Sequence, residues 1–369
     1  MREFSLSLKE LFKVNKDEVF GLDIGTNAVK MVQICKEGSS YVLTAAGICE
    51  IPAVTGNNKQ ENGQNVVRAI RDCLQMSGTD ARFATCGVCG PEVAVRRFQF
   101  PSLPAGELEG AILLEASQVC PFNINEGSVD YQIAPNGDDE NVSGVLVATT
   151  SKLIARKQGL AKSASLDCAL MDVDGLALLN CFNTFTSKTN TKEVKNRHKP
   201  LAVGRTFAVL NVGYSFSTLA IISENGLPFV RDIPYGGRGI VEHIASDRSI
   251  SSERVNRYLK DISSSRDGQF EISDAFGNAS RRLIDDVSET LRFYSAQEKS
   301  SLIDKLFVCG GFSLVGGFVE FLDEQLPTGA VLWNPFEAIR CRADEQCELL
   351  VRQKGSVLAV AAGLALRTI

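Results

Sequence analysis

A strand-turn-strand pattern that occurs twice in this chain places strong limits on its fold. The two copies read Phe20-Gly-Leu-Asp-Ile-Gly-Thr-Asn-Ala-Val-Lys30 and Phe207-Ala-Val-Leu-Asn-Val-Gly-Tyr-Ser-Phe-Ser217. In each copy a short apolar run ends in a polar residue, Asp23 or Asn211, and a glycine follows two residues later. Because glycine permits positive φ and close backbone approach, several N–H groups in such a turn can converge on an anion. The repeat therefore predicts two related α/β lobes, each with a turn that can hold phosphate.

A third pattern lies near the end of the chain, at Leu306-Phe-Val-Cys-Gly-Gly311. It is typical of a buried strand that breaks into a glycine turn and then a helix, although one such signal usually marks only a turn. The order of the three patterns, hairpin, second hairpin and double-glycine turn, resembles that of the actin and hexokinase-like nucleotide fold. In that fold each lobe holds the phosphates and the last turn holds the adenosine.

Strings between and after the hairpins narrow the resemblance to the family of the type IV pilus assembly protein PilM, an actin-like group related to FtsA. The strings are Leu114-Glu-Ala-Ser-Gln118, Cys120-Pro-Phe122, Val129-Asp-Tyr-Gln132, Met171-Asp-Val-Asp174, Arg231-Asp-Ile-Pro-Tyr-Gly-Gly237, Asn334-Pro-Phe336 and Ala359-Val-Ala-Ala-Gly-Leu-Ala-Leu-Arg367. They cover the chain from about residue 19 to residue 367, and their shared order is hard to obtain by chance.

The resemblance implies an α/β fold with two actin-like (ribonuclease H-like) lobes and an inserted α+β subdomain in the first lobe. We expect the first lobe at 19–182, its insertion at about 80–166, and the second lobe at 207–369 with a subdomain at about 240–297. Residues 183–206 have little apolar periodicity, so we expect an exposed loop between the lobes. Residues 1–18 have apolar side chains at helical spacing, which predicts an amphipathic helix that packs on its own domain or contacts a partner or membrane surface.

The same resemblance implies ATP and Mg²⁺ in the cleft between the lobes. The residues expected to bind the cofactor are Asp23, Gly25, Thr26, Asn27 and Lys30 in the first lobe, and Asn211, Gly213, Tyr214, Ser215, Ser217, Gly237, Gly310, Gly311 and Phe312 in the second. Asp23 would hold Mg²⁺ through water. Asp174 matches the position of a group that orients the attacking water, but an acidic residue at a helix start that interacts with the helix dipole explains it equally well.

Asn211 is the main departure from the wider superfamily, in which most active members carry an aspartate in the second hairpin. An amide does not supply the negative charge that helps to hold hydrated Mg²⁺ or to activate water. We therefore expect a weak ATPase at most.

Family members bind a short cytoplasmic tail of the inner-membrane protein PilN in a groove between the first lobe and its insertion. By resemblance, Phe98, Phe100 and Phe122 would line that groove, but the insertion's own core is an equal alternative. The expected setting is cytoplasmic, at the inner face of the inner membrane, with other pilus assembly proteins as partners and a homo-oligomer as a possibility. Two other functions stay open: an FtsA-like filament former, and a small-molecule kinase of the same fold, for which no catalytic aspartate or substrate pocket is evident.

Composition limits the remaining classes. The 369 residues carry a net charge of −5, which argues against nucleic acid as a partner. The 11 cysteines are scattered in apolar runs, as is typical of a reducing compartment, and Cys86-Gly-Val-Cys89 is the single Cys-x-x-Cys motif, with no second pair to complete a zinc site. We find no window of about 18 apolar residues, so we expect no membrane span.

Overall fold

The computed structural model describes residues 19–53, 59–134, 140–193, 205–223, 226–261, 268–297 and 302–368. The strands are β1 (Val19–Ile24), β2 (Ala28–Glu37), β3 (Ser40–Glu50), β4 (Phe83–Val88), β5 (Val93–Pro101), β6 (Gly127–Ile133), β7 (Asn141–Thr150), β8 (Asp167–Val173), β9 (Thr206–Val212), β10 (Ser217–Ser223), β11 (Phe229–Ile233), β12 (Ile303–Cys309), β13 (Ala330–Leu332) and β14 (Arg340–Cys341). The helices are α1 (Lys59–Ser77), α2 (Ala105–Val119), α3 (Ser151–Ser163), α4 (Asp174–Glu193), α5 (Gly237–Arg248), α6 (Ser252–Asp261), α7 (Gly268–Gln297), α8 (Phe318–Gln325), α9 (Glu345–Lys354) and α10 (Ala359–Ala365). The predicted amphipathic segment 1–18 lies outside the described residues.

The first lobe is built on a six-stranded sheet in the order β14-β3-β2-β1-β4-β8. β1 and β2 form the first antiparallel hairpin, and β4 and β8 run parallel to β1. Every residue of β1 is buried, because helices cover both faces of the sheet. The hairpin turn therefore stands at one end of a rigid central strand.

The second lobe repeats this plan with a five-stranded sheet in the order β11-β10-β9-β12-β13. β9 and β10 form the second hairpin, and β12 runs parallel to β9. One face of this sheet packs against α5, α7 and α8. Two lobes with equivalent hairpins and helices confirm the predicted actin-like α/β class.

The insertion is smaller than predicted. It consists of the sheet β5-β7-β6 and helix α2, which enclose a small core of Phe98, Leu108, Ile112, Ala116 and Leu146. β4 and α3, which fall inside the predicted range of 80–166, belong to the first lobe instead. β4 pairs with β1 and β8, and α3 packs against β4 and β8.

The predicted loop at 183–206 is wrong in its first part, because α4 continues to Glu193 and buries Phe185 against the main core. Residues 194–204 lie outside the described residues. The apolar periodicity of this helix end is too weak to predict a helix from the sequence.

The predicted second lobe, 207–369, also ends too late. β14 pairs with β3, and α10 packs against β1, so the end of the chain returns to the first lobe. The approach is so close that a Cβ atom at Gly21 would overlap the carbonyl oxygen of Ala361, and one at Gly363 would overlap that of Ala177. The glycines allow β1, α4 and α10 to meet.

The C-terminal stretch Glu345–Thr368 is long and apolar enough to cross a membrane by length and composition alone. However, 61% of its most apolar window is buried inside the protein. The stretch is divided into α9, a short turn and α10, as in a core segment of a globular domain.

Candidate functional site

The first hairpin carries an ion pair. Asp23 and Lys30 are cross-strand partners, and the Lys30 ammonium donates a hydrogen bond of 2.8 Å to Asp23 Oδ2. Burial alone would lower the pKa of Lys30, but the charge and hydrogen bond of Asp23, helped by the charge of Asp174, outweigh it and raise that pKa. Lys30 is therefore held as a fixed cation beside the turn.

The turn itself is closed by a hydrogen bond of 3.1 Å from Gly25 N–H to the carbonyl of Ala28. Thr26 and Asn27 at its tip are exposed. Among the residues that the structure describes, no protein acceptor lies opposite the N–H groups of Thr26 and Asn27. Two backbone donors and the cation of Lys30 thus stand at one place, which is a suitable arrangement for an anion.

The second hairpin has the same turn, closed by a hydrogen bond of 3.0 Å from Gly213 N–H to Phe216 O. Its carbonyl oxygens are held by the start of α5, because Gly237 N–H donates to Gly213 O and Arg238 N–H donates to Tyr214 O, at 2.9 and 2.8 Å. The first N–H groups of this helix are therefore already used within the protein. Ser217, also predicted for the phosphate site, is buried and donates to Tyr235 O at 2.8 Å.

The pair equivalent to Asp23 and Lys30 is uncharged in the second hairpin. Asn211 and Thr218 are the cross-strand partners there. Asn211 Oδ1 lies against Gly310, where a Cβ atom would overlap it, and Thr218 donates a hydrogen bond of 2.6 Å to Asp232 Oδ1. Both side chains thus have contacts within the protein.

Asp174 begins α4 and is buried near the first hairpin. Burial, assisted by the negative charge of Asp23, raises its pKa to about 7, although Lys157 and a hydrogen bond from Cys89 oppose the rise. Its Oδ1 atom packs on Gly87 and has no hydrogen-bond partner among the described residues. This orphaned oxygen is a second acceptor near Asp23.

Two charged groups near the hairpins were not predicted from the sequence. Lys157 on α3 donates a hydrogen bond of 2.6 Å to the carbonyl of Ile24, directly before the first turn. Asp232 on β11 accepts from Gly90 N–H, which lies between β4 and β5 in the first lobe, at 2.6 Å. The family string that contains Asp232 could have directed attention to it, but the helix pattern around Lys157 carries no comparable signal.

The double-glycine turn follows β12 as predicted, and Gly310 adopts a φ of 91°, which favours glycine. Phe312 is buried, and its ring lies so close to Gly237 that a Cβ atom there would overlap it. The ring also packs edge-on against Phe318, with centroids 5.0 Å apart, and nearly parallel to Phe276 at 6.5 Å. Phe312 therefore fills the space between the start of α5 and the Gly310–Gly311 turn.

The three predicted groove residues differ in their surroundings. Phe98 is 4% exposed and belongs to the core of the insertion, which favours the alternative interpretation for this residue. Phe100 stacks on it at 5.3 Å and is half-buried, as is Phe122. Of the three, Phe100 and Phe122 have side chains that a partner could reach.

The Cys-x-x-Cys motif lies at the edge of this site. Burial and the charges of Asp174 and Asp232 hold the pKa of Cys89 well above its ordinary value, and a hydrogen bond with Cys168 together with burial raises that of Cys86. Both thiols are therefore protonated. Within the described ranges, no three His, Cys, Asp or Glu side chains are grouped as metal ligands.

Comparison with known proteins connects this geometry to a family. The sequence profile of the type IV pilus assembly protein PilM matches residues 21–369. Among solved structures, a PilM–PilN type IV pilus biogenesis complex is similar with a TM-score of 0.76 and 23% identity, covering 96% of this chain and 99% of that one. The ethanolamine utilization protein EutJ from Carboxydothermus hydrogenoformans is similar with a TM-score of 0.54 and 14% identity over 99% of both chains. A nucleotide-free diol dehydratase-reactivating factor follows with a TM-score of 0.51 and 9% identity over 94% of this chain and 99% of that one.

Proposed function

Since the chain belongs to the family of the type IV pilus assembly protein PilM, we propose that it is a cytoplasmic, actin-like scaffold of a pilus or related secretion platform at the inner membrane. In this proposal, Mg-ATP binds between the two hairpins and is hydrolysed slowly or not at all. A PilN-like cytoplasmic tail binds between the first lobe and the insertion. The observation that carries the proposal is the cluster of titratable side chains at the first hairpin, where Asp23, Lys30 and Asp174 lie beside the exposed turn.

The first hairpin fits the phosphates of a nucleotide. The N–H groups of Thr26 and Asn27 and the ammonium of Lys30 would hold them, because these donors are oriented before the ligand arrives. Mg²⁺ keeps several waters in proteins, so Asp23 and the orphaned oxygen of Asp174 would hold it through water and the phosphates would supply its direct ligands. Mg²⁺ held in this way would not need three protein side chains as direct ligands.

The adenosine side fits less well, because the ring of Phe312 already packs on Gly237. A nucleotide would have to lie beside this ring or displace it. The near-parallel rings of Phe276 and Phe312 offer an aromatic surface for a base. We therefore expect phosphate contacts to supply most of the affinity.

Slow turnover follows from the second hairpin. Asn211 adds no negative charge opposite Asp23, so only one hairpin supplies a carboxylate for hydrated Mg²⁺. The nucleotide then serves as a structural ligand that favours one arrangement of the lobes.

Two open sheet edges support the proposed partner groove. β8 is an edge of the first-lobe sheet, β6 is an edge of the insertion sheet, and α3 packs against both strands. The exposed side chains of Tyr131 and Ile133 lie on β6. An extended peptide could pair its backbone with either edge and place apolar side chains between them.

Calorimetry with Mg-ATP tests the nucleotide part. We expect binding that Lys30→Met weakens at least tenfold, whereas Lys36→Met, farther along β2, leaves it unchanged. No heat and no thermal shift at millimolar Mg-ATP would contradict the nucleotide proposal.

Titration of a fluorescent peptide tests the partner part, with the cytoplasmic tail of a PilN-like protein from the same organism as the probe. We expect Tyr131→Asp to weaken binding at least tenfold. Leu349→Asp, at an exposed leucine on α9, is the control and should have no effect. Binding that is indifferent to every change on β6 and β8 would move the partner site elsewhere.

A further inference from the structure

The insertion is attached to the second lobe although it branches from the first. Its edge strand β5 lies beside the edge strand β11 of the second lobe. Arg97 on β5 donates a hydrogen bond of 3.3 Å to the carbonyl of Pro228, directly before β11. Its guanidinium also lies over two aromatic rings of the second lobe, 5.7 Å from the centroid of Phe229 and 5.0 Å from that of Tyr294.

A second attachment lies at the other end of β11. Asp232 accepts hydrogen bonds of 2.6 Å from Gly90 N–H in the first lobe and from Thr218 in the second hairpin. The ring of Phe216, at the tip of that hairpin, faces Gly90. A Cβ atom added at Gly90 would lie 3.8 Å from this ring, which is ordinary van der Waals contact. Because the insertion begins just after Gly90, its root is held by the second hairpin and by Asp232.

The opposite edge of the insertion faces the first lobe. β6 packs against α3. Burial raises the pKa of Asp172 on β8, and the negative charge of Asp130 on β6 adds a smaller contribution to the rise. The sheet order β5-β7-β6 thus connects a strand fixed to the second lobe with a strand that borders the first.

From this arrangement we propose that the insertion moves with the second lobe, so that movement of the lobes around a nucleotide changes the space between β6 and β8. Arg97 and Asp232 are the positioning residues of this linkage. The inference rests on the proposed function, because it names how the two proposed ligands regulate one another. Linkage is reciprocal, so peptide must change nucleotide affinity by the same factor as nucleotide changes peptide affinity.

The experiment measures four affinities on the full chain: the tail peptide without and with saturating Mg-ATP, and Mg-ATP without and with saturating peptide. We expect the two ratios to agree and to be about fivefold or more, the lower end of ordinary coupling. Arg97→Gln should bring both ratios to within about twofold of unity. Arg96→Gln is the matched control, because Arg96 is the exposed neighbour on the other face of β5, and it should keep the wild-type ratios.

A second measurement keeps the inference falsifiable if Arg97→Gln folds poorly. Hydrogen exchange of β6 should change when Mg-ATP binds the wild type, and this response should be lost in the milder variant Arg97→Lys and in Asp232→Asn. The inference alone is overturned if the wild type binds both ligands but its affinity ratios lie below twofold. It is also overturned if these variants leave the wild-type ratios unchanged. Failure of the wild type to bind either ligand would overturn the proposed function and the inference together.

Discussion

The two hairpins have the same backbone and different chemistry. In the first, Asp23 and Lys30 form an ion pair beside a turn in which the N–H groups of Thr26 and Asn27 have no acceptor among the described residues. In the second, the equivalent pair is Asn211 and Thr218, and both side chains have contacts within the protein.

This difference separates two tasks that one fold can perform at equivalent positions. The first hairpin keeps its charge available for a ligand. The second uses its polar groups to hold the Gly310 turn and Asp232, and through Asp232 the first lobe. One hairpin that is proposed to bind a ligand and one that connects the lobes suit a scaffold whose shape responds to a ligand better than they suit a fast enzyme.

The largest effect is expected from Asp23→Asn, which gives the first hairpin the neutral character of the second. Lys30 would then be a mostly buried cation without its partner. Breaking a buried pair costs about 3–5 kcal/mol, and the partial exposure of these side chains places our expectation near the lower limit, at about 3 kcal/mol. Urea unfolding at pH 7 measures it.

The control adds Lys30→Met to Asp23→Asn, which removes the unpaired cation and should recover most of the lost stability. A loss below about 1 kcal/mol for Asp23→Asn, typical of an exposed pair, would mean that the first hairpin is no more charge-dependent than the second.

The next effect concerns Asp174 and pH. The folded protein keeps this proton up to about pH 7, whereas an unfolded aspartate loses it near pH 3.9. The wild type therefore loses stability through this group as the pH rises from about 4 to about 7, and the loss is complete above pH 7.

Asp174→Asn removes that dependence, so its stability relative to the wild type should improve by roughly 2 kcal/mol between pH 5 and pH 8. Because Asp23 contributes to the raised pKa of Asp174, the gain should shrink in an Asp23→Asn background and persist in an Asn211→Ala background. Unfolding curves at both pH values decide the matter, and equal gains in the two backgrounds would contradict the asymmetry of the hairpins.

A smaller effect is expected in the second hairpin from Thr218→Val. The variant keeps the shape but removes the donor to the Asp232 carboxylate, and a hydrogen bond to a charged group contributes about 1.5 kcal/mol or more. Ser217→Ala removes a bond to a neutral carbonyl in the same hairpin and should cost about 1 kcal/mol. If the two variants unfold at the same urea concentration, the bond to Asp232 has no special part in holding the lobes.

The sequence predicted the parts of this molecule that depend on local pattern. The apolar strands, their glycine turns and the polar residue before each turn were readable because a strand-turn-strand unit is set by neighbouring residues. Asp23 and Lys30 were both expected at the site for the same reason, although their ion pair depends on a strand register that the sequence did not give.

Contacts between distant segments could not be predicted in this way. Lys157 reaches Ile24 from a helix 133 residues away, and Asp232 reaches Gly90 across 142 residues. The helix pattern around Lys157 does not distinguish it from a surface charge, and the family string around Asp232 does not reveal its contact with Gly90. The same limit explains why the return of β14 and α10 to the first lobe was missed, since only tertiary packing decides which lobe an apolar helix covers.

The most direct exchange between the hairpins has a small expected effect. Asn211→Asp gives the second hairpin the carboxylate of the first, and we expect phosphate release to rise about tenfold, which corresponds to about 1.4 kcal/mol of activation free energy. The wild-type rate should lie below about 1 per second. Asn211→Ala removes the amide without adding charge, so it should leave the rate unchanged and separates the effect of charge from that of lost packing at Gly310.

The exchanged protein carries both Asp23→Asn and Asn211→Asp. It keeps the number of carboxylates, but it leaves Lys30 unpaired and puts the new carboxylate where Thr218 offers no cation. If the exchanged protein hydrolyses ATP as fast as the Asn211→Asp variant, the two hairpins are equivalent in chemistry as well as in shape, and the division of tasks between them is wrong.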